Sequence, residues 1–160
     1  MVAPLPAPPS IGTTPPVGTA LPQHYSGCYG CGDHPAGLGM RFLVVAADTV
    51  ACALSLALHH QGAPGIAHGG IVTTVFDEAL GATQVFTAGR AVTATLTTDF
   101  RRPIPVEAPL HVLARLDERD GRKLRVSAEI RLGSADGRLA ATARALFLTV
   151  PDEHFAPYAP

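Results

Sequence analysis

The chain has 160 residues, of which 47% are hydrophobic and 16% charged, as expected for one globular domain with a sizeable core. A formal net charge of −1 argues against nucleic acid or a membrane surface as a partner. No apolar run is long enough to span a bilayer.

Residues 1–23 are rich in proline, which predicts an irregular, polyproline-like arm before a domain at 24–150 and a tail at 151–160. The arm has neither the basic start nor the apolar core of a signal peptide. We therefore expect a cytoplasmic protein with reduced cysteines.

Glycine-rich turns extend to Gly39, and the apolar runs 40–47 and 49–58 predict a hairpin. Residues 59–67 (HHQGAPGIA) read as a loop. Residues 69–87 lack proline, are rich in apolar residues and end near Gly89, which predicts the one long helix.

Beyond the helix, apolar residues alternate with polar ones, which predicts strands separated by the turns RRPIPVEAP, DERDG and SADG. These strands cover 92–100, 110–116, 124–132 and 139–150. Two strands, a helix and four strands in meander order predict an α+β roll. Its antiparallel sheet of about six strands would wrap around one central helix.

The predicted helix combines two glycines at its start with two adjacent acids. Gly69 and Gly70 leave backbone N–H groups free at the positive end of the helix dipole, an arrangement that can stabilise an oxyanion. Two glycines can also serve close packing alone. Asp77 lies two turns after Gly70 on the same face, whereas Glu78 shares a face with Ile71. Either acid can occupy a solvated helix edge, but residues 71–86 hold no other charge.

Gly69 and Asp77 are separated by eight residues, or roughly 12 Å along a helix axis. A reacting carbonyl must lie about 3 Å from both its oxyanion donor and its base or nucleophile. If both residues serve one substrate, they must therefore come from different chains. The spacing predicts an active site across a symmetric dimer interface.

The motif G-x-A-H-G-G-x(6)-D-E-A-x-G at 65–81 resembles the signature of hotdog-fold acyl-CoA thioesterases. It is most similar to the phenylacetate-pathway and 4-hydroxybenzoyl-CoA thioesterase branch. CYGCGDHPAGLGMRF, TATLTTDFRRPIP and GRKLRVSAEI extend the resemblance over most of 27–150. It implies hydrolysis of an acyl-CoA to free acid and coenzyme A, without a cofactor, by a homodimer or a dimer of dimers.

By this resemblance, Asp77 is the catalytic acid, either general base or nucleophile, and the Gly69 N–H polarises the thioester carbonyl. Thr93 matches the strand hydroxyl that places the attacking water, with Thr95 as the alternative register. His68 holds the loop and the helix start.

The resemblance also marks residues that would contact substrate. Several relatives carry an asparagine six residues before the motif histidine, where this chain has Gly62, with Gln61 beside it as another source of an amide. Gly70 and Glu78 border the same predicted site.

Two basic pairs on predicted loops are candidates for contacts with the coenzyme A phosphates. They are Arg101 with Arg102, and Arg122 with Lys123. Charged loop residues are otherwise simply solvated.

Cys28 and Cys31 form a C-x-x-C pair with His24 and His34 nearby, which has elements of a zinc site. A second pair at defined spacing is missing, and no βαβ context supports a redox pair. We therefore predict no metal, and expect small buried cysteines in a turn over the substrate channel.

Two other functions remain compatible with the sequence. One is a hotdog hydratase or dehydratase acting on acyl thioesters, which normally needs a histidine paired with an acid. The other is a non-catalytic domain that binds acyl-CoA or senses a ligand.

Overall fold

The computed structural model describes residues 14–158, so most of the predicted N-terminal arm and the last two residues lie outside the described part. Six strands form an antiparallel sheet and two form a small separate hairpin. They are β1 Leu43–Ala46, β2 Thr49–Ser55, β3 Gln61–Ala63, β4 Ile66–Ala67, β5 Arg90–Phe100, β6 Pro109–Asp120, β7 Lys123–Leu132 and β8 Leu139–Val150. The strand order is β1-β2-β6-β7-β8-β5 in the main sheet and β3-β4 in the hairpin.

The helix α1, Gly69–Ala82, packs against five strands of the main sheet. Its buried side chains follow the i, i+3, i+4, i+7, i+8 spacing of one helix face: Val72, Val75, Phe76, Ala79 and Leu80. They share one core with the inward-facing residues of the sheet. The predicted α+β class, the six-stranded sheet and the enclosed helix are therefore confirmed. No helix among the described residues is long and apolar enough to cross a membrane.

The segment before the helix is more ordered than predicted. Residues 59–67 were expected to form a loop, but they contain most of a 3₁₀ turn at Leu58–His60 and the whole β3–β4 hairpin. The side chain of buried His60 organises the turn, because its Nδ1 accepts a hydrogen bond from the Ala57 N–H at 3.1 Å. A ladder this short has no apolar alternation to reveal it in the sequence.

The helix is also shorter than predicted, since α1 ends at Ala82 and continues as a 3₁₀ turn over Thr83–Phe86. The Thr83 hydroxyl donates to the Leu80 carbonyl at 2.6 Å, a back-bond that tightens the last turn.

The two edge strands of the main sheet differ. Strand β1 is covered, because the Gly18 and Leu21 N–H groups donate to Val44 and Phe42 carbonyls at 2.8 and 2.9 Å. Strand β5 pairs only with β8 among the described residues, and it contains eleven residues without a proline. A long open edge of this kind can pair with another strand.

The C-terminal segment returns to the start of β5. Asp152–Tyr158 forms a 3₁₀ turn, and Asp152 lies 3.6 Å from the Arg90 guanidinium. The same guanidinium stacks over the Phe155 ring at 5.7 Å.

Candidate functional site

A cleft of about 680 Å³ runs along α1 and contains both of the helix acids. Its walls come from α1 and the turn that follows it, from the start of β5, and from the N- and C-terminal segments. The lining includes Gln23, His24, Cys31, Phe42, Asp77, Glu78, Gly81, Val85, Val92, Thr93, Phe147 and Phe155. The lining is largely apolar with a few polar groups, as in pockets that bind small organic molecules.

Asp77 and Thr93 form the polar contact at one wall of this cleft. The Thr93 hydroxyl donates to Asp77 Oδ1 at 2.7 Å, which holds the carboxylate against β5. The other carboxylate oxygen has no hydrogen-bond partner within the described part of the chain. Asp77 is exposed in the single chain, so this oxygen is available to a substrate or a water molecule.

A bulge in β5 places Thr93, and not Thr95, beside Asp77. Thr93 pairs with Phe147 of β8 and Thr95 pairs with Leu146, so the register shifts between the two threonines. Phe147 faces the core, and directly paired residues share a face of the sheet. Thr93 therefore faces the helix, whereas Thr95 points to the opposite face.

At the helix start, His68 is the N-cap and its Nδ1 accepts a hydrogen bond from the Gly70 N–H at 2.9 Å. The Gly70 donor is thereby occupied. Within the described residues the Gly69 N–H has no hydrogen-bond acceptor, and Gly69 is exposed. Gly69 is therefore an exposed backbone donor at this helix end that remains available to a ligand.

Close packing explains the residues that precede the histidine. A Cβ placed on Gly62 would lie 2.9 Å from both Cα and Cδ2 of His68, which leaves no room for a side chain without a backbone shift. The Gln61 Oε1 accepts from the Gly65 N–H at 3.1 Å and so closes the β3–β4 turn. Gly62 therefore serves packing, and the exposed Gln61 side chain serves the turn.

Within one chain, the Gly69 N–H and the Asp77 carboxylate remain two helical turns apart, because α1 is continuous from Gly69 to Ala82.

The two basic pairs, Arg101–Arg102 and Arg122–Lys123, are also far from each other. Arg102 donates to the Leu139 carbonyl at 2.8 Å and Arg122 to the Thr149 carbonyl at 3.0 Å. These carbonyls lie ten residues apart on β8, or roughly 33 Å. Arg101 is adjacent to Arg102, and Lys123 is adjacent to Arg122, so the two basic pairs lie at opposite ends of β8. One chain therefore cannot direct both pairs to the same phosphate.

Glu78 points away from Asp77 toward the glycine-rich N-terminal turn. Its side chain is 17% exposed, and its oxygens lie 3.5 Å from Cys28 Sγ and 3.7 Å from His24 Nδ1. His24 Nδ1 in turn lies 3.0 Å from Cys31 Sγ. The C-x-x-C spacing predicts a group of cysteines with nearby histidines. It does not predict Glu78 as a member of that group, because Glu78 lies fifty residues from Cys28.

Electrostatics within this group favour a charged His24–Glu78 pair. The contact with Glu78 raises the pKa of His24, against the opposing effect of burial. Burial by itself raises the pKa of Glu78, but the contacts with His24 and both thiols outweigh it and lower that pKa. Burial raises the pKa of the Cys28 and Cys31 thiols.

The chain is similar to known thioesterases. The sequence profile of the thioesterase superfamily matches residues 64–139. Acyl-coenzyme A thioesterase THEM4 of Rattus norvegicus is 35% identical over 121 residues, which is 73% of this chain and 52% of that protein. The chain spans 39–52% of the length of the four THEM4 relatives it matches.

Solved structures share the fold. A crystal structure of a thioesterase superfamily protein matches with a TM-score of 0.63 at 30% identity, covering 68% of this chain and 53% of that one. The E. coli PaaI protein from the phenylacetic acid degradation operon matches with a TM-score of 0.64 at 18% identity, covering 71% and 81%.

The close approach of Gly62 to His68 predicts the effect of one methyl group. We expect Gly62→Ala to lower the free energy of unfolding by about 1–3 kcal/mol, because the added Cβ overlaps the His68 backbone. Gly81→Ala is the matched control, since its Cβ would lie 3.7 Å from Phe147 and alanine favours a helix. Urea unfolding of both variants checks this. Equal stability of the two would contradict the packing.

Proposed function

The chain belongs to the thioesterase superfamily and has its hotdog fold, and from this premise we propose that it hydrolyses an acyl-CoA thioester to a free acid and coenzyme A. The observation that carries the proposal is the hydrogen bond from Thr93 to Asp77 in the wall of an apolar cleft. A thioester suits so sparse a site, because its carbonyl lacks amide resonance and needs neither a metal nor a triad.

In the proposed reaction, the Asp77 carboxylate takes a proton from water while the hydroxide attacks the thioester carbon. The Gly69 N–H stabilises the oxyanion of the tetrahedral intermediate. Collapse of this intermediate breaks the C–S bond, and the departing thiolate takes the proton from Asp77. Asp77 can instead attack the thioester carbon and form an anhydride as the C–S bond breaks and the thiolate leaves. Water then hydrolyses the anhydride, which regenerates the carboxylate and supplies the proton for the thiolate. In both routes Thr93 holds the carboxylate in place.

The separation of Gly69 from Asp77 supports a site that a second subunit completes. We propose that the open edge of β5 pairs antiparallel with the same strand of a second copy. A two-fold axis near Leu96 and Thr97 would place Thr93 opposite the partner subunit's Phe100.

This pairing would join the two halves of the site. The Cβ position of Gly69 lies 3.5 Å from the Phe100 ring of its own chain, so Gly69 accompanies the Phe100 end of β5. Near the other end of β5, Thr93 contacts Asp77. The pairing thus brings Asp77 toward the partner subunit's Gly69. Arg101 and Arg102 follow Phe100, which favours them over Arg122 and Lys123 as contacts to coenzyme A phosphates.

We further propose a cytoplasmic location, where acyl-CoA is a common metabolite and the cysteines, all free thiols, would stay reduced.

Asp77→Asn is expected to lower kcat for acyl-CoA hydrolysis by about 10²–10⁴-fold, because the amide cannot accept a proton or attack the carbonyl. Asp48→Asn is the matched control in the remote β1–β2 turn, where the left-handed backbone (φ 57°) also suits asparagine. Thiol release from a panel of acyl-CoA substrates measures both. Undiminished turnover by Asp77→Asn would exclude the mechanism.

The unmodified protein distinguishes the two alternative functions. Tight acyl-CoA binding without turnover would favour the binding domain, and hydration of enoyl-CoA would favour the hydratase.

Thr93→Val is expected to lower kcat/KM by about 10–100-fold, because it removes a hydrogen bond to a charged group while keeping the shape of the side chain. Thr95→Val should have a much smaller effect, since Thr95 lies on the other face of the sheet. Steady-state kinetics of the pair distinguish the two registers, and a larger loss from Thr95→Val would refute the assignment.

Heterodimers test whether the site is shared. Gly69→Pro removes only the backbone N–H, since proline fits the first position of a helix and His68 is already extended (ψ 135°). A heterodimer of Asp77→Asn and Gly69→Pro chains, purified with two tags, should regain one of its two sites and about half of the activity. Gly69→Ala keeps the N–H and should lose far less than Gly69→Pro. No recovery in verified heterodimers would mean that each chain holds its own site.

A further inference from the structure

Four potential metal ligands converge beside the proposed active site. His24, Cys28, Cys31 and Glu78 each contribute one ligand atom, and these four atoms all lie within 4.8 Å of one another. None of the four has a chemical step in the proposed hydrolysis. Two thiolates, an imidazole and a carboxylate form a donor set that favours zinc over the harder divalent cations.

The spacing of the ligand atoms is close to that of a tetrahedral site. Zinc bonds of about 2.0–2.3 Å place neighbouring ligand atoms of a tetrahedron roughly 3.3–3.8 Å apart. His24 Nδ1 lies 3.0 Å from Cys31 Sγ and 3.7 Å from Glu78 Oε1, and Cys28 Sγ lies 3.5 Å from Glu78 Oε2. Small movements of side chains would therefore be enough to surround an ion.

The backbone around the cysteines is shaped to this cluster. The Gly30 N–H donates to Cys28 Sγ at 3.3 Å, which supports a thiolate at that position. A Cβ on Gly30 would overlap the Glu78 carboxylate, and one on Gly32 would overlap the Cys28 carbonyl. The glycines of CYGCG thus let the turn close around the acid.

We propose that His24, Cys28, Cys31 and Glu78 bind one zinc ion, a site that goes beyond the proposed hydrolysis. Four protein ligands leave no open position, so the ion is structural. It joins the N-terminal turn to α1 and fixes the cleft wall next to Asp77. This assigns Glu78 a task in an otherwise apolar helix and replaces the sequence-based expectation of small buried cysteines without a metal.

The test is the zinc content of the full chain, purified under reducing conditions without chelator and measured by inductively coupled plasma mass spectrometry. We expect about one zinc per chain. Cys28→Ser, Cys31→Ser and Glu78→Gln should each lower zinc affinity at least tenfold, whereas Cys52→Ser, a buried cysteine outside the cluster, should retain the metal. Asp77→Asn should also retain it, which separates this proposal from the fate of the hydrolase.

Cobalt provides a second measurement that does not depend on the folding of any variant. Titrating Co²⁺ into the metal-free chain should produce the visible absorption of a tetrahedral thiolate site, and one equivalent of Zn²⁺ should abolish it. Chelation should lower Tm, and added zinc should restore it. The proposal is overturned if the reduced chain takes up neither metal. It is equally overturned if Cys52→Ser loses as much zinc as Cys28→Ser and Cys31→Ser.

Discussion

The burial of one face of α1 in the curved sheet is the constraint on which the rest of the structure depends. Five side chains on that face contact the core, and the two acids emerge on either flank of it. Adjacent helix positions differ by about 100°, so Asp77 and Glu78 must face different neighbours. Asp77 reaches Thr93 on β5, and Glu78 reaches the glycine-rich turn. Each flank of the enclosed helix therefore offers a separate polar site.

The same helix keeps the Gly69 donor and the Asp77 acid apart, since a continuous helix cannot bend to join them. The two edges of the sheet differ. The β1 edge is covered by residues 18–21, and the β5 edge is open within residues 14–158. Phe100 lies over Gly69 at one end of β5, and Thr93 holds Asp77 near the other. If β5 pairs with β5 of a second copy about a two-fold axis, each pair of half-sites is brought together. The proposed dimer and the proposed reaction therefore both depend on β5.

Much of this could be predicted from residue patterns. The period of two after residue 90 revealed β5 to β8, and the proline-free apolar run revealed the helix, because both patterns express burial on one face. The β3–β4 hairpin escaped prediction because β3 is exposed, β4 has only two residues and the ladder is short. The bulge between Thr93 and Thr95 escaped as well, since an extra residue in a strand changes the facing of side chains without a signature in the sequence.

The six main strands, the helix, the fold class and the importance of the segment from Gly69 to Glu78 could be read from the amino-acid sequence, because they follow from local periodicity and from charges in an apolar run. Three features became visible in the three-dimensional fold alone: the Thr93 hydroxyl beside Asp77, the tight contact that leaves Gly62 no room for a side chain, and the approach of Glu78 to His24, Cys28 and Cys31. The physical reason is that each of these contacts joins residues distant in the chain or depends on sub-ångström packing. The register of the strands and the path of the chain set these distances, and the spacing of residues along the sequence reveals neither.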